Sequence, residues 1–542
     1  MKILKYLKES DTPIAYIGFM TSLSGIANAM ILAIINTAAA MVSNNKVEAQ
    51  YFLLYLIVFV LYVYTQRYAL SQTVVAIEKF IRKVRIRIAD KIRSAELHFI
   101  ENSERGDMYT RLTQDSNIIS QSGLLLVTAA QSAMVLIFSF LYLAWLSPLS
   151  FLITSVFISL AVYTYWFYEK TISKQLHIAT QKQAKFFEYF SHILDGFKEL
   201  KMNRQKSDDL FDHIETLSQE SEKLKVNVGL QQVTTLMFSR MSFYLLLAIL
   251  VFIVPLFHAS HADEIYKIST TILFIMGPLG MLVSALPTVS QSNVALENLS
   301  TLETQLDEVI IDEIYSKQQP KLSDFNEIQL DKATFSYLDK HAKPLFSIGP
   351  INFSIKKGEM VFIVGGNGSG KSTFLKLLTG LYYPTAGSID LNHDSIDRSE
   401  YASYRSLFAI IFTDFHLFDK LYGLSDIDDK QVKELLQLMQ LDKKTKYREG
   451  EFTQRDLSTG QKKRLAFVAA ILENKSINIF DELAADQDPQ FRKYFYEVIL
   501  PDLKQQGKTI IAVTHDDKYF HVADRVLKME YGQLVHYDEG KI

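Results

Sequence analysis

Residues 360–381 read MVFIVGGNGSGKSTFLKLLTGL, which is a short apolar run, a glycine-rich turn and a helix-forming segment in that order. The turn has the spacing G-x-x-x-x-G-K-[ST] between a predicted strand and a predicted helix. Backbone N–H groups of such a turn close around phosphate oxygens, and the helix N-terminus adds a partial positive charge. The stretch therefore predicts a nucleotide site in an α/β domain. Its candidate binding residues are Gly365, Asn367, Gly368, Ser369, Gly370, Lys371, Ser372 and Thr373.

Two later apolar runs carry polar residues at their ends. SINIFDE places Asp481 and Glu482 after one predicted strand, and TIIAVTHDD places His515 after another. Taken alone, each is more often structural than catalytic. Because the carboxyl ends of parallel strands meet at one edge of a sheet, we expect these side chains beside the phosphate loop. There Asp481 and the Ser372 hydroxyl suit Mg²⁺, and Glu482 suits a general base that polarises the attacking water.

The segment DLSTGQKKRLAFVAAIL, residues 456–472, is a polar turn before an amphipathic helix. Ser458 is placed to cap that helix, and the amides that follow it are also placed to bind an anion. As a bare pattern, the cap is the more frequent outcome.

The first 300 residues are far more apolar than the rest of a chain that is 48% hydrophobic overall. A membrane span needs about 20 residues, and charge at the bilayer centre is costly. The stretches without Asp, Glu, Lys or Arg are 12–45, 49–66, 116–168, 241–262 and 268–296. The proline of WLSPLS, residues 145–150, divides the third stretch into two helices. The sequence therefore predicts six transmembrane helices in a lipid bilayer.

Charge in the connections predicts the orientation of these helices. Residues 72–115 carry nine Lys and Arg side chains and 170–239 carry ten, whereas 41–50 and 258–267 carry one each. By the positive-inside rule the two basic connections face the cytoplasm, as do both chain termini. Their helical periodicity predicts that the membrane helices continue beyond the bilayer as charged stalks.

Composition also excludes several classes of function. A net charge of −3 gives no support to a nucleic-acid-binding surface, and the absence of cysteine excludes disulfides and thiolate chemistry. No histidine pair has the spacing of a structural metal site. The polar, acidic stretch before residue 326 is typical of a linker. We expect a transmembrane domain over 1–300, a linker over 301–325 and a nucleotide-binding domain over 326–542.

The motifs GGNGSGKS, LSTGQ, INIFDE, AADQD and THDD, in that order behind six spans, resemble those of ATP-binding cassette (ABC) transporters. The resemblance covers essentially the whole chain and indicates a half-transporter. It implies a membrane all-α domain of six transmembrane helices with the ABC exporter fold, followed by an α/β P-loop ATPase domain. ATP and Mg²⁺ are the implied cofactors. Glu482 and His515 would be the catalytic residues, and Ser372 and Asp481 would bind the metal.

The same resemblance implies two further groups of nucleotide contacts. Tyr337 of the motif FSY would stack on adenine. In the family, two cassettes sandwich two ATP molecules head to tail, so Ser458, Gly460 and Gln461 of one chain would face the nucleotide of the other. A homodimer is thus implied. ATP binding would close the cassettes, and hydrolysis would reset them.

The chain also departs from the usual family pattern. Thr413 of IFTDFHLF stands where the family has a glutamine that touches magnesium, which leaves that role open between Thr413 and Asp414. Leu483 replaces the proline of the usual D-E-P. With IGPINFSIKKGE, these segments resemble bacterial exporters of cyclic or modified peptides and siderophore precursors, including microcin exporters.

This subgroup implies an ATP-driven exporter of a peptide or siderophore-like compound in the bacterial inner membrane. A lipid or lipid-linked glycan flippase shares every ATPase motif and remains an alternative. An ATP-gated regulator or channel is a third, which Glu482 and His515 disfavour because a regulator can lose hydrolysis.

Overall fold

The computed structural model describes residues 13–43, 49–103, 105–253, 265–309, 325–338, 343–424 and 427–537. They form two compact units, one of Met1–Ile88 with Gly106–Glu303 and the other of Ala89–Arg105 with Thr304–Ile542. Most of the predicted linker, residues 310–324, lies outside the described residues, and residues 301–309 are helical. Most of the weakly charged connection at 258–267 lies outside them as well.

Long helices make up most of the first unit, and short ones connect them; residues 89–105 and the end of the last long helix belong to the second unit. In chain order the helices are α1 Ile14–Ser43, α2 Ala49–Ser94, α3 Leu97–Asn102, α4 Arg105–Thr110, α5 Ser116–Leu146, α6 Pro148–Asp195, α7 Phe197–Met202, α8 Arg204–Ala248 and α9 Ile265–Val309. Single π-helical turns, Arg111–Asp115 and Ile249–Ile253, adjoin α5 and α8. The long helices α2, α6 and α8 continue into the basic connections, as predicted for helical stalks.

Among the described residues, five helical segments are long and apolar enough to cross a membrane. They are Ile14–Ala39, Ala49–Ser94, Arg111–Leu146, Arg204–Ile253 and Ile265–Val309. A shorter apolar stretch, Pro148–Leu160, begins α6, the helix in which the sixth span is predicted. The predicted break between the third and fourth spans is confirmed, since Ser147 separates α5 from α6 and its hydroxyl oxygen accepts a hydrogen bond from the Ser150 N–H.

Packing in the first unit is apolar with a few polar contacts between helices. Buried side chains of α5, α8 and α9 form one cluster that includes Leu143, Leu246 and Ile272. The Asn36 amide on α1 donates to the Thr271 hydroxyl on α9 at 3.3 Å. Polar side chains within spans are costly unless they find such partners, so Asn36 contributes to helix packing.

The outward face of α2 is strongly apolar. Phe52, Leu53 and Val60 on this helix each expose more than 60% of their surface. Side chains of this kind are stable on an outer surface when lipid tails cover them.

The second unit contains two larger sheets. Its strands are β1 Glu327–Leu338, β2 Pro344–Lys356, β3 Met360–Val364, β4 Ala386–Leu391, β5 Asp394–Ser395, β6 Phe408–Ile411, β7 Tyr447–Arg448, β8 Glu451–Phe452, β9 Ile477–Asp481, β10 Thr509–Val513, β11 Arg525–Glu530 and β12 Gln533–His536. One sheet is antiparallel with the order β2-β1-β4-β5, and the other has the order β12-β11-β3-β10-β9-β6. In the second sheet β11, β3, β10, β9 and β6 run parallel.

Helices cover both faces of the six-stranded sheet. They are α10 Lys371–Leu378, α11 Tyr401–Arg405, α12 Asp429–Leu438, α13 Thr459–Leu472, α14 Pro489–Tyr494 and α15 Leu500–Gln505. Every residue of β3, β9 and β10 is buried, as expected for central parallel strands. Val361 and Ile363 point into one core, and Met360 and Phe362 into the other. The carboxyl ends of the three strands therefore lie side by side at one edge.

Candidate nucleotide site

The loop between β3 and α10 has a backbone that only glycine allows at two points. Gly365 has φ +150°, and a Cβ there would lie 2.3 Å from the Met529 carbonyl oxygen. Gly370 has φ +106° immediately before the first turn of α10. The Ser369 hydroxyl oxygen is buried and has no hydrogen-bond partner among the described residues. The loop thus has the close turns and a free polar group that suit a phosphate cradle.

Lys371 begins α10 and is almost entirely buried. Its ammonium group donates hydrogen bonds to the carbonyl oxygens of Gly365 at 2.9 Å and Gly366 at 3.1 Å. It also lies 3.8 Å from Glu482 Oε1. These contacts hold a positive charge against the loop, beside the acidic pair at the end of β9.

Asp481, the last residue of β9, accepts two hydroxyl hydrogen bonds on one oxygen. The Ser372 hydroxyl donates to Asp481 Oδ2 at 3.1 Å, and the Thr413 hydroxyl donates to the same atom at 2.9 Å. Burial raises the pKa of the Asp481 carboxyl above its ordinary value, and these two hydrogen bonds oppose the rise. A divalent cation would hold the carboxylate ionised.

The donor set around Asp481 fits Mg²⁺, which prefers carboxylate and hydroxyl oxygens and usually keeps several water and phosphate ligands. No group of three or more His, Cys, Asp or Glu that could hold a metal occurs within the described part of the chain. A cation here would therefore depend on few protein ligands, as magnesium does in nucleotide sites. Ser372 and Asp481 are the residues that would hold it.

Glu482 follows Asp481 in a constrained conformation. Its φ is +52°, in the left-handed region that residues other than glycine seldom occupy. Its N–H donates to the Val513 carbonyl oxygen at 3.2 Å, and its Oε1 lies 3.2 Å from His515 Nε2. His515 follows β10, the strand next to β9, so two adjacent strand ends orient one carboxylate.

Tyr337 lies near the end of β1 and contacts the start of α10. Its hydroxyl is 3.4 Å from the Thr373 hydroxyl and donates to the Tyr382 hydroxyl at 3.1 Å. The Tyr382 hydroxyl in turn donates to the Glu101 carboxylate, which also accepts from Lys376 Nζ at 2.6 Å. Burial, together with the Glu101 hydrogen bond, raises the pKa of Tyr382 above its ordinary range.

Ser458, Gly460 and Gln461 stand at the start of α13, where they make a reciprocal cap. The Gln461 N–H donates to the Ser458 hydroxyl oxygen at 3.4 Å, and the Ser458 N–H donates to Gln461 Oε1 at 3.2 Å. The Gly460 carbonyl oxygen accepts from the Gln487 amide at 2.9 Å. The cap expected from the sequence pattern is confirmed, and this segment is tied to the residues that follow Glu482.

The predicted residues therefore fall into three groups. Lys371, Ser372, Asp481, Glu482 and His515 are linked by direct contacts at the edge of the six-stranded sheet. Tyr337 is linked to them through Thr373 at the start of α10. Ser458, Gly460 and Gln461 form a separate group, whose described contacts run to each other and to Gln487.

Sequence reasoning missed two residues of this region. Lys463 donates to the Glu482 carbonyl oxygen at 2.9 Å, and Tyr382 donates to the Glu101 carboxylate. No motif marks Lys463 or Tyr382, because their partners are distant in sequence. The turn from Glu101 to Asp115 is a candidate coupling helix by family resemblance alone. Of the two candidates for the glutamine position, Thr413 and Asp414, Thr413 makes a hydrogen bond to Asp481.

This fold and site define a P-loop ATPase domain joined to a helical membrane domain. Residues 14–282 match the family described as ABC transporter transmembrane region, and residues 348–485 match the family described as ABC transporter. The chain belongs to the ABC transporter family. It is a half-transporter, a multi-pass membrane protein that binds ATP and couples its hydrolysis to transport. The predicted fold class and family are confirmed.

Two relatives support this assignment, one along nearly the full length of the chain and one over about a third of it. The chain is 32% identical over 564 residues to the ATP-binding protein SyrD of Pseudomonas syringae pv. syringae, with 98% of this chain and 96% of that protein covered. It is also 35% identical over 202 residues to the energy-coupling factor transporter ATP-binding protein EcfA1 of Mycoplasma genitalium, covering 35% of this chain and 72% of that one.

A solved structure shares the architecture of the whole chain. The structure of a bacterial Atm1-family ABC exporter with ATP bound matches with a TM-score of 0.77 at 18% identity, covering 95% of this chain and 93% of that one. This similarity shows that the chain has the ABC exporter fold.

Proposed function

We propose that two copies of this chain form a homodimer whose cassettes bind two ATP molecules head to tail. The phosphate loop of one protomer would then face Ser458 and Gly460 of its partner. The separation of the site residues into two groups supports this arrangement, because the start of α13 makes no described contact with the loop of its own chain. In a two-fold dimer, each phosphate loop would be completed by the Ser458–Gln461 segment of the other protomer.

The observation that carries the catalytic proposal is the continuous set of contacts among Lys371, Asp481, Glu482 and His515. The Lys371 ammonium lies 3.8 Å from Glu482, and His515 lies 3.2 Å from the same carboxylate oxygen. Lys371 would reach the outer phosphates, and Glu482 would accept the proton of the attacking water. A positioned imidazole and a constrained backbone keep the Glu482 carboxylate in one orientation.

Magnesium completes this proposal. When bound, Mg²⁺ would neutralise developing charge on the transferred phosphoryl group. Ser372 and Asp481 would hold the ion, and Thr413 would orient the Asp481 carboxylate through its 2.9 Å hydrogen bond. Tyr337 would present its ring to adenine beside the first turn of α10.

We place the chain in the inner membrane of a bacterium with its ATPase domain and both termini in the cytoplasm. The Lys and Arg side chains of residues 72–115 and 170–239 support this orientation. ATP is available on the cytoplasmic side, which agrees with a cassette located there.

For the transported compound we propose a peptide or siderophore-like molecule. Support comes from the segments IGPINFSIKKGE, IFTDFHLFD and DELAADQDP, which resemble those of bacterial exporters of cyclic peptides and siderophore precursors. The full-length similarity to a bacterial relative, rather than to the cassette alone, agrees with that subgroup.

The test is ATPase stimulation in lipid nanodiscs of defined composition. We expect a lasso or cyclic peptide to raise the turnover rate above that with lipid alone, and Glu482→Gln to abolish both rates. Stimulation by lipids only would replace the peptide exporter with a flippase. Inside-out vesicles give a second measurement, because an exporter accumulates peptide against a gradient and a gated channel only equilibrates it.

A further inference from the structure

Lys463 is a buried lysine on α13, within the first two turns after the Ser458 cap. Its ammonium group donates to the backbone carbonyl oxygen of Glu482 at 2.9 Å and pairs with Asp486 at 2.7 Å. Burial of a charged group is costly unless it is paired and hydrogen-bonded. Lys463 therefore occupies a defined position between the start of α13 and the segment that follows β9.

The acceptor of this hydrogen bond is the peptide group of the proposed general base. Glu482 has φ +52°, and a residue other than glycine keeps that conformation only when its surroundings hold it. The Glu482 N–H donates to the Val513 carbonyl oxygen, and the Glu482 carbonyl oxygen accepts from both the Ala485 N–H and the Lys463 ammonium. Lys463 therefore helps to hold the strained backbone from which the Glu482 carboxylate reaches His515.

A second set of contacts joins the same two segments. The Gln487 amide donates to the Gly460 carbonyl oxygen at 2.9 Å, and the Arg464 Nε donates to Gln487 Oε1 at 2.7 Å. A Cβ at Gly460 would lie 2.7 Å from the Asp486 carbonyl oxygen, so the two segments pack closely. The start of α13 and residues 482–488 thus form one hydrogen-bonded unit.

We propose that Lys463 is a positioning residue that couples the Ser458–Gln461 segment to the general base Glu482. This inference rests on the proposed head-to-tail dimer, in which that segment contacts the partner's nucleotide while Glu482 acts on its own. When the Ser458–Gln461 segment binds the partner's nucleotide, the position of α13 becomes fixed. The Lys463 hydrogen bond then fixes the Glu482 peptide group as well. Each ATP site thereby becomes competent for hydrolysis only when the other is occupied.

The experiment compares the full-length protein with Lys463→Met in nanodiscs. Methionine keeps most of the side-chain volume, and the exposed Asp486 partner is left in solvent rather than buried. We expect kcat for ATP to fall at least about tenfold, because a misdirected base loses its geometry. The KM for ATP should stay within about twofold, and the Hill coefficient should fall towards one.

Lys493→Met is the matched control, since Lys493 is an exposed lysine in an ion pair with Glu497. It should leave kcat, KM and the Hill coefficient unchanged. Wild-type kcat and cooperativity in Lys463→Met would overturn the proposal. Loss of ATP affinity in step with kcat would also overturn it, because that result indicates a merely structural role.

Asp486→Asn keeps the test decisive if Lys463→Met does not fold. Loss of the Asp486 charge loosens the Lys463 ammonium without removing it, so kcat should fall by a smaller factor, with KM unchanged. An unaltered kcat contradicts the inference. Glu482→Gln is assayed in parallel: hydrolysis that survives this change refutes the proposed base itself, whereas its loss with a normal Lys463→Met refutes only the coupling role.

Discussion

The Thr413 hydroxyl donates a 2.9 Å hydrogen bond to Asp481 Oδ2, the oxygen that also accepts the Ser372 hydroxyl. Thr413 stands where related transporters carry a glutamine, and a threonine is too short to copy that longer side chain. In this chain the Thr413 hydroxyl bonds the carboxylate of Asp481, one of the two residues that would hold Mg²⁺. The segment after β6 is therefore connected to Asp481, one of the two proposed Mg²⁺ ligands.

We predict that Thr413→Val weakens Mg²⁺ binding. Valine has the same shape but removes a hydrogen bond, which contributes about 0.5–1.5 kcal/mol. The Mg²⁺ concentration needed for half-maximal ATP binding should rise by about two- to tenfold. The measurement is a Mg²⁺ titration of ATP binding in a Glu482→Gln background. Thr413→Ser keeps the hydroxyl and serves as the control, and an unshifted titration for the valine variant would argue against the role of Thr413.

Glu482→Gln should still bind ATP but hydrolyse it about 10²–10⁴-fold more slowly, the usual cost of losing a general base. Because hydrolysis resets the cassettes in the proposed dimer, the variant should accumulate as a closed dimer in the presence of ATP. Phosphate release and light scattering measure the two effects. Glu497→Gln makes the same chemical change at an exposed ion pair with Lys493. It should leave both the hydrolysis rate and the ATP-dependent dimerisation unchanged. Normal turnover in the Glu482 variant would refute its role as base.

Lys371→Ala should weaken nucleotide binding. The Lys371 ammonium is almost fully buried against the loop, and a hydrogen bond to a charged group contributes about 1.5–3 kcal/mol. We expect the Kd for ATP to rise by about ten- to a hundredfold, as measured by equilibrium binding. Lys430→Ala removes a largely exposed lysine and should bind ATP normally. Undiminished affinity in the Lys371 variant would count against the phosphate cradle.

Glu101→Leu should weaken the stimulation of ATP hydrolysis by a transported compound, and it should leave the basal hydrolysis rate nearly unchanged. Glu101 on α3 accepts hydrogen bonds from Lys376 and Tyr382, which connect it to Tyr337 and the start of α10. Residues along such a network change coupling by about 0.5–2 kcal/mol. We expect basal ATPase within about twofold of wild type, with reduced stimulation by the peptide or lipid that activates the wild type.

Glu96→Leu provides the comparison for Glu101→Leu. Glu96 precedes α3, and its side chain makes no capping hydrogen bond. This variant should keep both the basal rate and the stimulation. Full stimulation in Glu101→Leu would show that the hydrogen bonds around Tyr382 carry no coupling.

Features with a local cause were predictable from the sequence. The apolar run 360–364, the glycines at 365 and 370 and the helix from Lys371 follow from strand burial, backbone freedom and helix propensity over neighbouring residues. Ser147 and Pro148 similarly marked the break between α5 and α6. In these segments the residues that determine the structure are adjacent in the chain.

Contacts between distant segments were not predictable in this way. Thr413 reaches Asp481 because β6 lies beside β9 with Ile411 opposite Phe480, so the residues after both strands meet. In the sequence, Lys463 is one of two adjacent lysines on an amphipathic helix. Glu101 contacts Tyr382 across a separation of 281 residues.

The sequence by itself determined the two-part architecture, the phosphate loop and the acidic strand end, since each depends on residue type within a short window. Only the tertiary structure decided that Thr413 bonds Asp481, that Lys463 holds the Glu482 peptide and that Glu101 meets Tyr382. The physical reason is that hydrogen bonds form where strand order and helix packing bring donors within about 3 Å of acceptors. The order of residues along the chain does not specify the distances between donors and acceptors that are far apart in sequence.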